Sequence, residues 1–337
     1  GTFFLVYLTA GLAGGASEID LAVATDPLGA WTIYDVHNEG RLQDQPKLGI
    51  SSDKVTISWN DNGNSGPEEY KVIQKAGLVA RHGTVPGVIW GPDSSRLNVV
   101  PAIQLSSGNT AFAIFHNYAS ATIGVMSFTG TPGVSPVSFT ETDRAVARTS
   151  APPNATQPAE ASGSPSPKLD TGDDRLESAV WRSGNLWASG NDTCRFRTDT
   201  SSRSCLRVIH VLTGGMTVAR DVDITMIGAD VMYPAVVVDR SNDIWISFAS
   251  SSASQFAAAE VAEADTGVIG ASIGANIYAS GSGAIDYSGC AKNSRTRFGD
   301  YSGAASDPAR EGQGVWVAAE FGLAGCSWGT QVAAFTP

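Results

Sequence analysis

Charged residues are scarce in this sequence, and no segment of it is rich in lysine or arginine. They make up 16% of the 337 residues, and 33 acidic residues against 22 basic ones give a net charge of -11. A nucleic-acid-binding surface needs clustered cationic side chains that replace the counterions of the phosphates. The composition therefore predicts no nucleic-acid partner, and it is compatible with neutral polymers, cations or basic partners.

Long apolar runs and the common catalytic motifs are also missing. No run reaches the roughly 18 apolar residues that cross a bilayer, so we expect no membrane insertion. The chain has no CxxC or HExxH pattern, and no Gly-x-Ser-x-Gly elbow or P-loop in a strand–helix context, which argues against a zinc centre, a nucleophile elbow and nucleotide binding. We therefore expect no required cofactor. The apolar stretch 1–15 lacks a basic flank, and we interpret it as a strand of the mature protein.

Cysteines are few, and their spacing predicts disulfides rather than a metal or redox site. There are four of them, which allows three pairings. We expect Cys194 to pair with Cys205, and Cys290 to pair with Cys326. Because disulfides persist in oxidising compartments, the sequence predicts a secreted, extracellular protein.

Glycine, serine, alanine, threonine and valine are abundant, which favours short strands joined by tight turns. Similar segments recur along the chain, each with an apolar strand, a polar turn and a second strand of alternating character. They begin at Gln45, Val100, Leu176, Tyr233 and Asp300. Their spacing of about 55 to 75 residues is the period of a four-stranded propeller blade.

We therefore predict an all-β fold, a β-propeller with four-stranded antiparallel blades in a single domain over 1–337. Counting the N-terminal strands as a blade gives six blades, and five or seven stay open. The Pro/Ser-rich stretch at about 150–168 predicts a surface insertion, because it contains almost no large apolar residue. Two segments with helical composition, 66–77 and 252–265, occupy strand positions in the repeat, and we predict strands there.

In a propeller, a ligand site lies at one mouth of the central channel, just before the innermost strands. Polar residues at that position can cap turns, or they can form a site for an acidic sugar. Arginine binds a carboxylate bidentately, acids in different environments serve as general acid and base, and a tyrosine beside an acid can act as a nucleophile. The candidate substrate-binding residues are Arg96, Arg175, Tyr233 and Arg297, and the candidate catalytic residues are Asp44, Glu177, Asp300 and the nucleophile Tyr301.

A calcium site is a further candidate. Acidic side chains cluster in the stretch 169–177, and carboxylate oxygens are the ligands that Ca²⁺ prefers. The candidate metal ligands are Asp170 and Asp173.

Three segments resemble a group of secreted bacterial proteins with sialidase-like, neuraminidase-superfamily β-propeller folds. They are GDDRLESAVWRSGNLWASGND from Gly172, YPAVVVDRSNDIWISFASSS from Tyr233 and RFGDYSGAASDPAREGQGVWVAAEF from Arg297. The resemblance implies a propeller more strongly than any activity, since such folds include glycosidases, lyases and non-catalytic binding proteins. Sialidases carry S-x-D-x-G-x-T-W boxes, and DRSNDIWIS from Asp239 departs from that pattern.

We expect a secreted propeller that engages an extracellular glycan or polysaccharide at the channel mouth. Its candidate reactions are sialidase-like glycoside hydrolysis and polysaccharide elimination. The alternative is a non-catalytic adhesion or interaction propeller with structural calcium. Convergence of polar side chains from at least three blades on an open cavity favours the first function, whereas a mouth plugged by apolar residues excludes it.

Overall fold

Strands dominate the computed structural model, which describes residues 1–10, 15–37, 39–63, 66–159, 163, 166–195, 199–265, 274–286, 296–310 and 312–337. The helical segments within these ranges are α1 (Lys75–Val79) and the 3-10 turn Pro308–Arg310. The strands are β1 (Phe3–Ala10), β2 (Ser17–Ala24), β3 (Thr32–His37), β4 (Gln43–Ile50), β5 (Lys54–Asp61), β6 (Glu68–Gln74), β7 (Gly87–Asp93), β8 (Val100–Pro101), β9 (Ile103–Gln104), β10 (Ala111–His116), β11 (Thr122–Thr129), β12 (Ser138–Ala145), β13 (Leu176–Arg182), β14 (Asn185–Cys194), β15 (Arg203–Leu212), β16 (Thr217–Ile224), β17 (Asp230–Val238), β18 (Asp243–Ser252), β19 (Gln255–Asp265), β20 (Asn276–Ala279), β21 (Gly303–Ser306), β22 (Val315–Gly322) and β23 (Trp328–Phe335).

Strand pairing divides the described chain into six consecutive antiparallel groups. The first group (β1 to β3) and the sixth (β21 to β23) hold three strands each. The second to fifth groups hold four strands each, namely β4 to β7, β8 with β10 to β12, β13 to β16, and β17 to β20. The short β9 pairs in parallel with β4 and with β13, and it thereby joins the second and fourth groups into one sheet.

The first strands of the second to sixth groups, called the inner strands below, contact one another in chain order. They are β4, β8, β13, β17 and β21. Consecutive antiparallel meanders that follow one another around such inner strands are the blades of a β-propeller. The predicted all-β propeller is therefore confirmed, with four-stranded units in its middle groups, and the number of blades stays a prediction.

The core lies between neighbouring groups, where apolar side chains of facing strands meet. Trp187 of β14 packs with Val236 and Phe248 of the fifth group, and Trp59 of β5 packs with Leu21 of the first. All five side chains are almost fully buried. Because each buried aliphatic or aromatic side chain of this size contributes roughly 1.5 to 3 kcal/mol, these contacts hold the groups side by side and keep the inner strands together.

The two segments with helical composition form strands over most of their length, as predicted. β6 runs to Gln74, and α1 begins only after it. β19 is a continuous strand over Gln255–Asp265. Both strands pair with a neighbour on each side. The ladder hydrogen bonds and the packing of a central strand outweigh the helix propensity of alanine and glutamate.

The stretch predicted as a surface insertion, 150–168, is partly buried in the structure. Ala155 forms two backbone hydrogen bonds with Leu169, and both side chains are buried. The side chain of Gln157 donates to the backbone oxygen of Ile285 at 3.0 Å and accepts from its backbone N–H at 2.9 Å. Because a buried amide can satisfy backbone groups in this way, a segment without large apolar residues can still pack.

The predicted disulfide between Cys194 and Cys205 is present and connects the end of β14 to the start of β15. Cys326 is disulfide-bonded as well, and its predicted partner, Cys290, lies outside the described residues. A structural disulfide is consistent with an oxidising compartment, and secretion stays a prediction. None of the described helices is long and apolar enough to span a membrane.

Candidate functional site

A cavity of about 270 Å³ opens where the inner strands begin. Residues in or just before all five inner strands line it, so polar groups from distant parts of the sequence converge there. The lining residues are Gln45, Asn98, Asp170, Gly172, Asp173, Arg175, Glu177, Tyr233, Arg297, Asp300 and Tyr301. The wall is mainly polar and is not plugged by apolar side chains, which is the arrangement that favours a ligand-binding function.

Bulges near the start of three inner strands present single residues to the cavity. The pairing register breaks there in β4, β13 and β17. The residues left out of the ladders include Gln45, Glu177 and Tyr233, and all three line the cavity. Pro46 and Pro234 follow two of them, and a proline cannot donate a ladder hydrogen bond. The local sequence thus favours a bulge where a side chain must leave the sheet.

Four cavity-lining residues other than glycine have a left-handed backbone. The φ angle is 52° at Gln45, 56° at Asn98, 55° at Tyr233 and 114° at Asp300. Such conformations cost roughly 1 to 3 kcal/mol each and cluster at ligand sites, where surrounding contacts offset them. At Tyr233 the offsetting contact is its backbone N–H, which donates to Oδ1 of Asn191 at 2.8 Å. Buried side chains therefore help to define the backbone of the site.

The two oxygens of the Glu177 carboxyl differ in their hydrogen bonding. Nδ2 of Asn191 donates to its Oε1 at 3.0 Å, whereas its Oε2 is buried and has no hydrogen-bond partner among the described residues. Burial raises the pKa of this carboxyl well above its usual range, Asp173 adds to the rise, and Lys47 opposes it. A carboxyl that keeps its proton inside a cavity has the property that a general acid requires.

Arg175 is fixed between an acid and an aromatic ring. Its Nε donates to Oδ1 of Asp173 at 3.0 Å and its Nη2 donates to Oδ2 at 2.8 Å. Its Cζ lies 4.9 Å from the centroid of the Tyr118 ring. A guanidinium held on two sides has little rotational freedom, so its orientation at the cavity wall is fixed.

The ring of Tyr233 stands in a narrow slot between two glycines. A Cβ atom at Gly299 would lie 2.4 Å from this ring, and one at Gly172 would lie 3.1 Å from it. The Tyr233 hydroxyl donates to the backbone oxygen of Asp170 at 3.0 Å. Burial raises the pKa of this hydroxyl, so Tyr233 forms a rigid, neutral part of the wall.

Arg297 and Asp300 form an ion pair at the exposed side of the cavity. Burial raises the pKa of the Asp300 carboxyl from its ordinary value, although Arg297 opposes the rise. Burial also raises the pKa of the Tyr301 hydroxyl, and Glu177 and Asp300 raise it further. These effects favour the neutral phenol of Tyr301, and its role as a nucleophile stays a prediction.

Lys47 and Glu68, which no motif marks in the sequence, both form hydrogen bonds with Asn98. Nζ of Lys47 donates to Oδ1 of Asn98, and the backbone N–H of Asn98 donates to Oε2 of Glu68 at 2.9 Å. Burial lowers the pKa of Lys47 and raises that of Glu68. Nζ of Lys47 also lies 5.6 Å from the centroid of the Tyr301 ring. Two titratable side chains thus contact Asn98, a residue of the cavity wall.

Two predicted site residues, Arg96 and Asp44, are not part of the cavity wall. Arg96 pairs with Asp93 and Glu141, because its loop directs the side chain toward β7 and β12. Asp44 accepts the backbone N–H of Gln45 at 2.9 Å through its Oδ1, and it thereby stabilises the first bulge. The other six predicted catalytic and substrate-binding residues are brought together around the cavity.

The two predicted metal ligands, Asp170 and Asp173, also line the cavity. Asp173 already forms an ion pair with Arg175, and a metal cation would have to compete with that guanidinium. Carboxylates close enough to share a cation occur elsewhere among the described residues. They are Asp239, Asp243 and Glu263, whose oxygens lie within 4.8 Å of one another. This cluster is compatible with calcium, and calcium binding stays a prediction.

No family model and no curated protein matches the chain. Among solved structures, the chain is similar to a bifunctional GH43-CE protein of Bacteroides eggerthii, with 12% identity and a TM-score of 0.41 over 83% of this chain and 34% of that one. It is similar to the Dos1 propeller with 10% identity and a TM-score of 0.37, over 95% and 74% of the two chains. It is also similar to a PL25 polysaccharide lyase, an ulvan lyase bound to -[GlcA(1-4)Rha3S]-, with 8% identity and a TM-score of 0.37 over 99% and 80%. At these TM-scores, function must be argued from the cavity itself.

Proposed function

We propose that the protein binds a glycan in the central cavity and cleaves it with Glu177 as the proton donor. The observation that carries the proposal is Oε2 of Glu177, a buried oxygen without a hydrogen-bond partner among the described residues. The carboxyl that contains it has a pKa raised by burial. A glycosidic oxygen placed against Oε2 would supply the missing partner and receive the proton as its bond to carbon breaks.

The rest of the cavity wall suits a ligand with many hydroxyl groups. Arg175 is already paired with Asp173, and Arg297 with Asp300. The wall therefore offers donors and acceptors side by side rather than an uncompensated positive field. Sugar hydroxyls both donate and accept, so they match such a surface. The Cys194–Cys205 disulfide supports an extracellular place of action, where polysaccharides are found.

Asp300 is the second acid of the proposed reaction. In hydrolysis its carboxylate takes a proton from the attacking water, whose oxygen bonds to the sugar carbon that the leaving group departs. In elimination the same carboxylate takes a ring proton beside a uronate carboxylate, and a C=C double bond forms as the leaving group departs. The phenol of Tyr301, which lines the same cavity, donates a hydrogen bond to the bound glycan in either reaction.

The test is release of sugar ends from plant, fungal and bacterial polysaccharides. Wild-type protein is compared with Glu177→Gln and Asp300→Asn, and binding of each protein to a glycan array is measured in parallel. We expect release by the wild type, loss of release in Glu177→Gln, and retained binding by that variant. A product with ultraviolet absorption identifies elimination, whereas a new reducing end without it identifies hydrolysis.

Two outcomes overturn the proposal. Glycan binding without release by any of the three proteins makes this a non-catalytic interaction propeller. Release that is unchanged in folded Glu177→Gln excludes Glu177 as the proton donor. Near-ultraviolet circular dichroism checks that each variant has kept its tertiary packing.

A further inference from the structure

Asn191, in β14, uses its whole side-chain amide on three different segments of the chain. Its Nδ2 donates to the backbone oxygen of Thr171 at 2.9 Å and to Oε1 of Glu177 at 3.0 Å. Its Oδ1 accepts the backbone N–H of Tyr233 at 2.8 Å. The residue is fully buried. One amide thus connects the loop before β13, the bulge of β13 and the bulge of β17.

The partners of Asn191 fix the orientation of its amide. A backbone oxygen such as that of Thr171 only accepts, and a backbone N–H such as that of Tyr233 only donates. The NH₂ group must therefore face Thr171 and Glu177, and the amide oxygen must face Tyr233. Because an NH₂ group cannot accept, Oε1 of Glu177 has to be the acceptor oxygen of its carboxyl. Because the carbonyl oxygen of a neutral carboxyl accepts more strongly than its hydroxyl oxygen, this bond favours the proton on Oε2.

We propose that Asn191 is the positioning residue that places the acidic proton of Glu177 on Oε2, the oxygen that has no hydrogen-bond partner among the described residues. This inference rests on the proposed function, since it concerns the same proton donor. The bond from Asn191 also stops the carboxyl from rotating and exchanging its two oxygens. At the same time, the bond to Tyr233 N–H holds the left-handed backbone of the neighbouring bulge.

The second group of strands contains a matched control for this arrangement. Asn60 in β5 is buried like Asn191, and its Nδ2 donates to Oε1 of Gln45 at 3.1 Å. Gln45 occupies the bulge of β4 as Glu177 occupies the bulge of β13. Both asparagines precede an aspartate in the sequence. Replacing Asn60 therefore removes an equivalent hydrogen bond without touching the proposed acid.

The experiment measures the carboxyl of Glu177 directly by infrared difference spectroscopy. The spectrum of Glu177→Gln is subtracted from that of the wild type, and the same subtraction is made in the Asn191→Ala and Asn60→Ala backgrounds. We expect the C=O stretch of the protonated carboxyl to move to higher wavenumber in Asn191→Ala, because Oε1 loses its donor. The stretch should not move in Asn60→Ala.

Cleavage kinetics give the second measurement, made with a polysaccharide from which the wild type releases sugar ends. Asn191→Ala should lower kcat by about 100-fold, the effect expected for a misplaced reacting group, and should move the alkaline limit of the pH profile upward, since a lost donor favours the neutral carboxyl. Asn60→Ala should leave that limit in place. Asn191→Leu, which has a similar volume and no donor, replaces Asn191→Ala if the alanine variant does not fold.

An unchanged C=O stretch in a folded Asn191 variant overturns the inference, whatever the activity. The spectra need no substrate, so they also separate this inference from the proposed function. Loss of the proposed function would show as unchanged release by Glu177→Gln, whereas failure of the positioning role would show as an unmoved band.

Discussion

The second and fourth groups of strands build the same arrangement at the cavity, and only one of the two can transfer a proton. In the second group an asparagine holds Gln45, and in the fourth an asparagine holds Glu177. Both held side chains leave their strand at a bulge and line the cavity. The difference is an amide in place of a carboxyl. The fold thus supplies the position, and a single side chain supplies the chemistry.

The comparison also shows what burial does to each side chain. An amide is uncharged, so it can be buried at little cost when its polar atoms form hydrogen bonds. A carboxyl must either find partners for a charge or keep its proton, and Glu177 has one oxygen without a partner among the described residues. Burial raises the pKa of this carboxyl, and the charge of Asp173 adds to the rise. The second group is therefore an internal reference for what the fourth would be without an acid.

The largest expected effect comes from making the two regions alike. Glu177→Gln should lower the rate of glycan cleavage by about 100- to 10,000-fold, the contribution of a positioned general acid. The fold should tolerate the change, because Gln45 shows that an amide fits a bulge of this kind. Initial rates of end release measure the effect. A Gln45→Met control should keep the pH profile of the wild type.

The next largest effect is on the pH dependence of the free energy of unfolding, to which an acid at the bulge contributes and an amide does not. The folded-state pKa of Glu177 is raised, so the folded protein retains a proton that the unfolded chain loses above about pH 4.3. Wild-type stability should therefore fall relative to Glu177→Gln as the pH rises from there, by up to about 1.4 kcal/mol per pH unit. Chemical denaturation at a series of pH values measures the difference. A difference that stays constant with pH would contradict a raised pKa.

Placing an acid in the second group tests the comparison from the other side. Gln45→Glu should lower the free energy of unfolding at neutral pH by about 1 to 3 kcal/mol, the cost of a poorly compensated buried polar group. An additional negative charge at the same cavity should also raise the pKa of Glu177 and move the alkaline limit of cleavage upward. Urea unfolding and a pH–rate profile measure the two effects. An unchanged profile would show that the two bulges are not electrically coupled.

The smallest expected effect concerns the ring of Tyr118 beside Arg175, which directly precedes the fourth group. Tyr118→Ala removes a cation–π contact at 4.9 Å, and it should weaken glycan binding about two- to fivefold, as expected for a contact of roughly 0.5 to 1 kcal/mol. Tyr118→Phe keeps the ring and should bind like the wild type. Titration calorimetry with the best ligand of the glycan array measures both. Equal losses in the two variants would assign the effect to the hydroxyl.

The repeat and the channel mouth could be predicted from the sequence because they follow from position. Strands recur at the blade period, and residues just before inner strands must meet at one end of the channel. Arg175, Glu177, Tyr233 and Arg297 are cavity residues for that reason. Arg96 occupies a similar sequence position, but its side chain forms ion pairs with Asp93 of β7 and Glu141 of β12. Sequence position does not reveal which way a loop residue turns.

The residues behind the wall could not be predicted, because their signal is three-dimensional. Lys47 and Glu68 lie in different strands of the second group, and no motif connects them. Asn191 lies in the second strand of its group, and it reaches the site only because the bulge brings Glu177 toward it. The parallel between N-D at Asn60 and N-D at Asn191 was present in the sequence. Its meaning appears only once both bulges are known.

The most direct test of the central claim is the protonation state of Glu177 itself. The infrared difference spectrum between wild type and Glu177→Gln at about pH 6, where an ordinary glutamate is ionised, should show the C=O stretch of a protonated carboxyl. A carboxylate band in its place would show that Glu177 is ionised and would contradict its role as the proton donor.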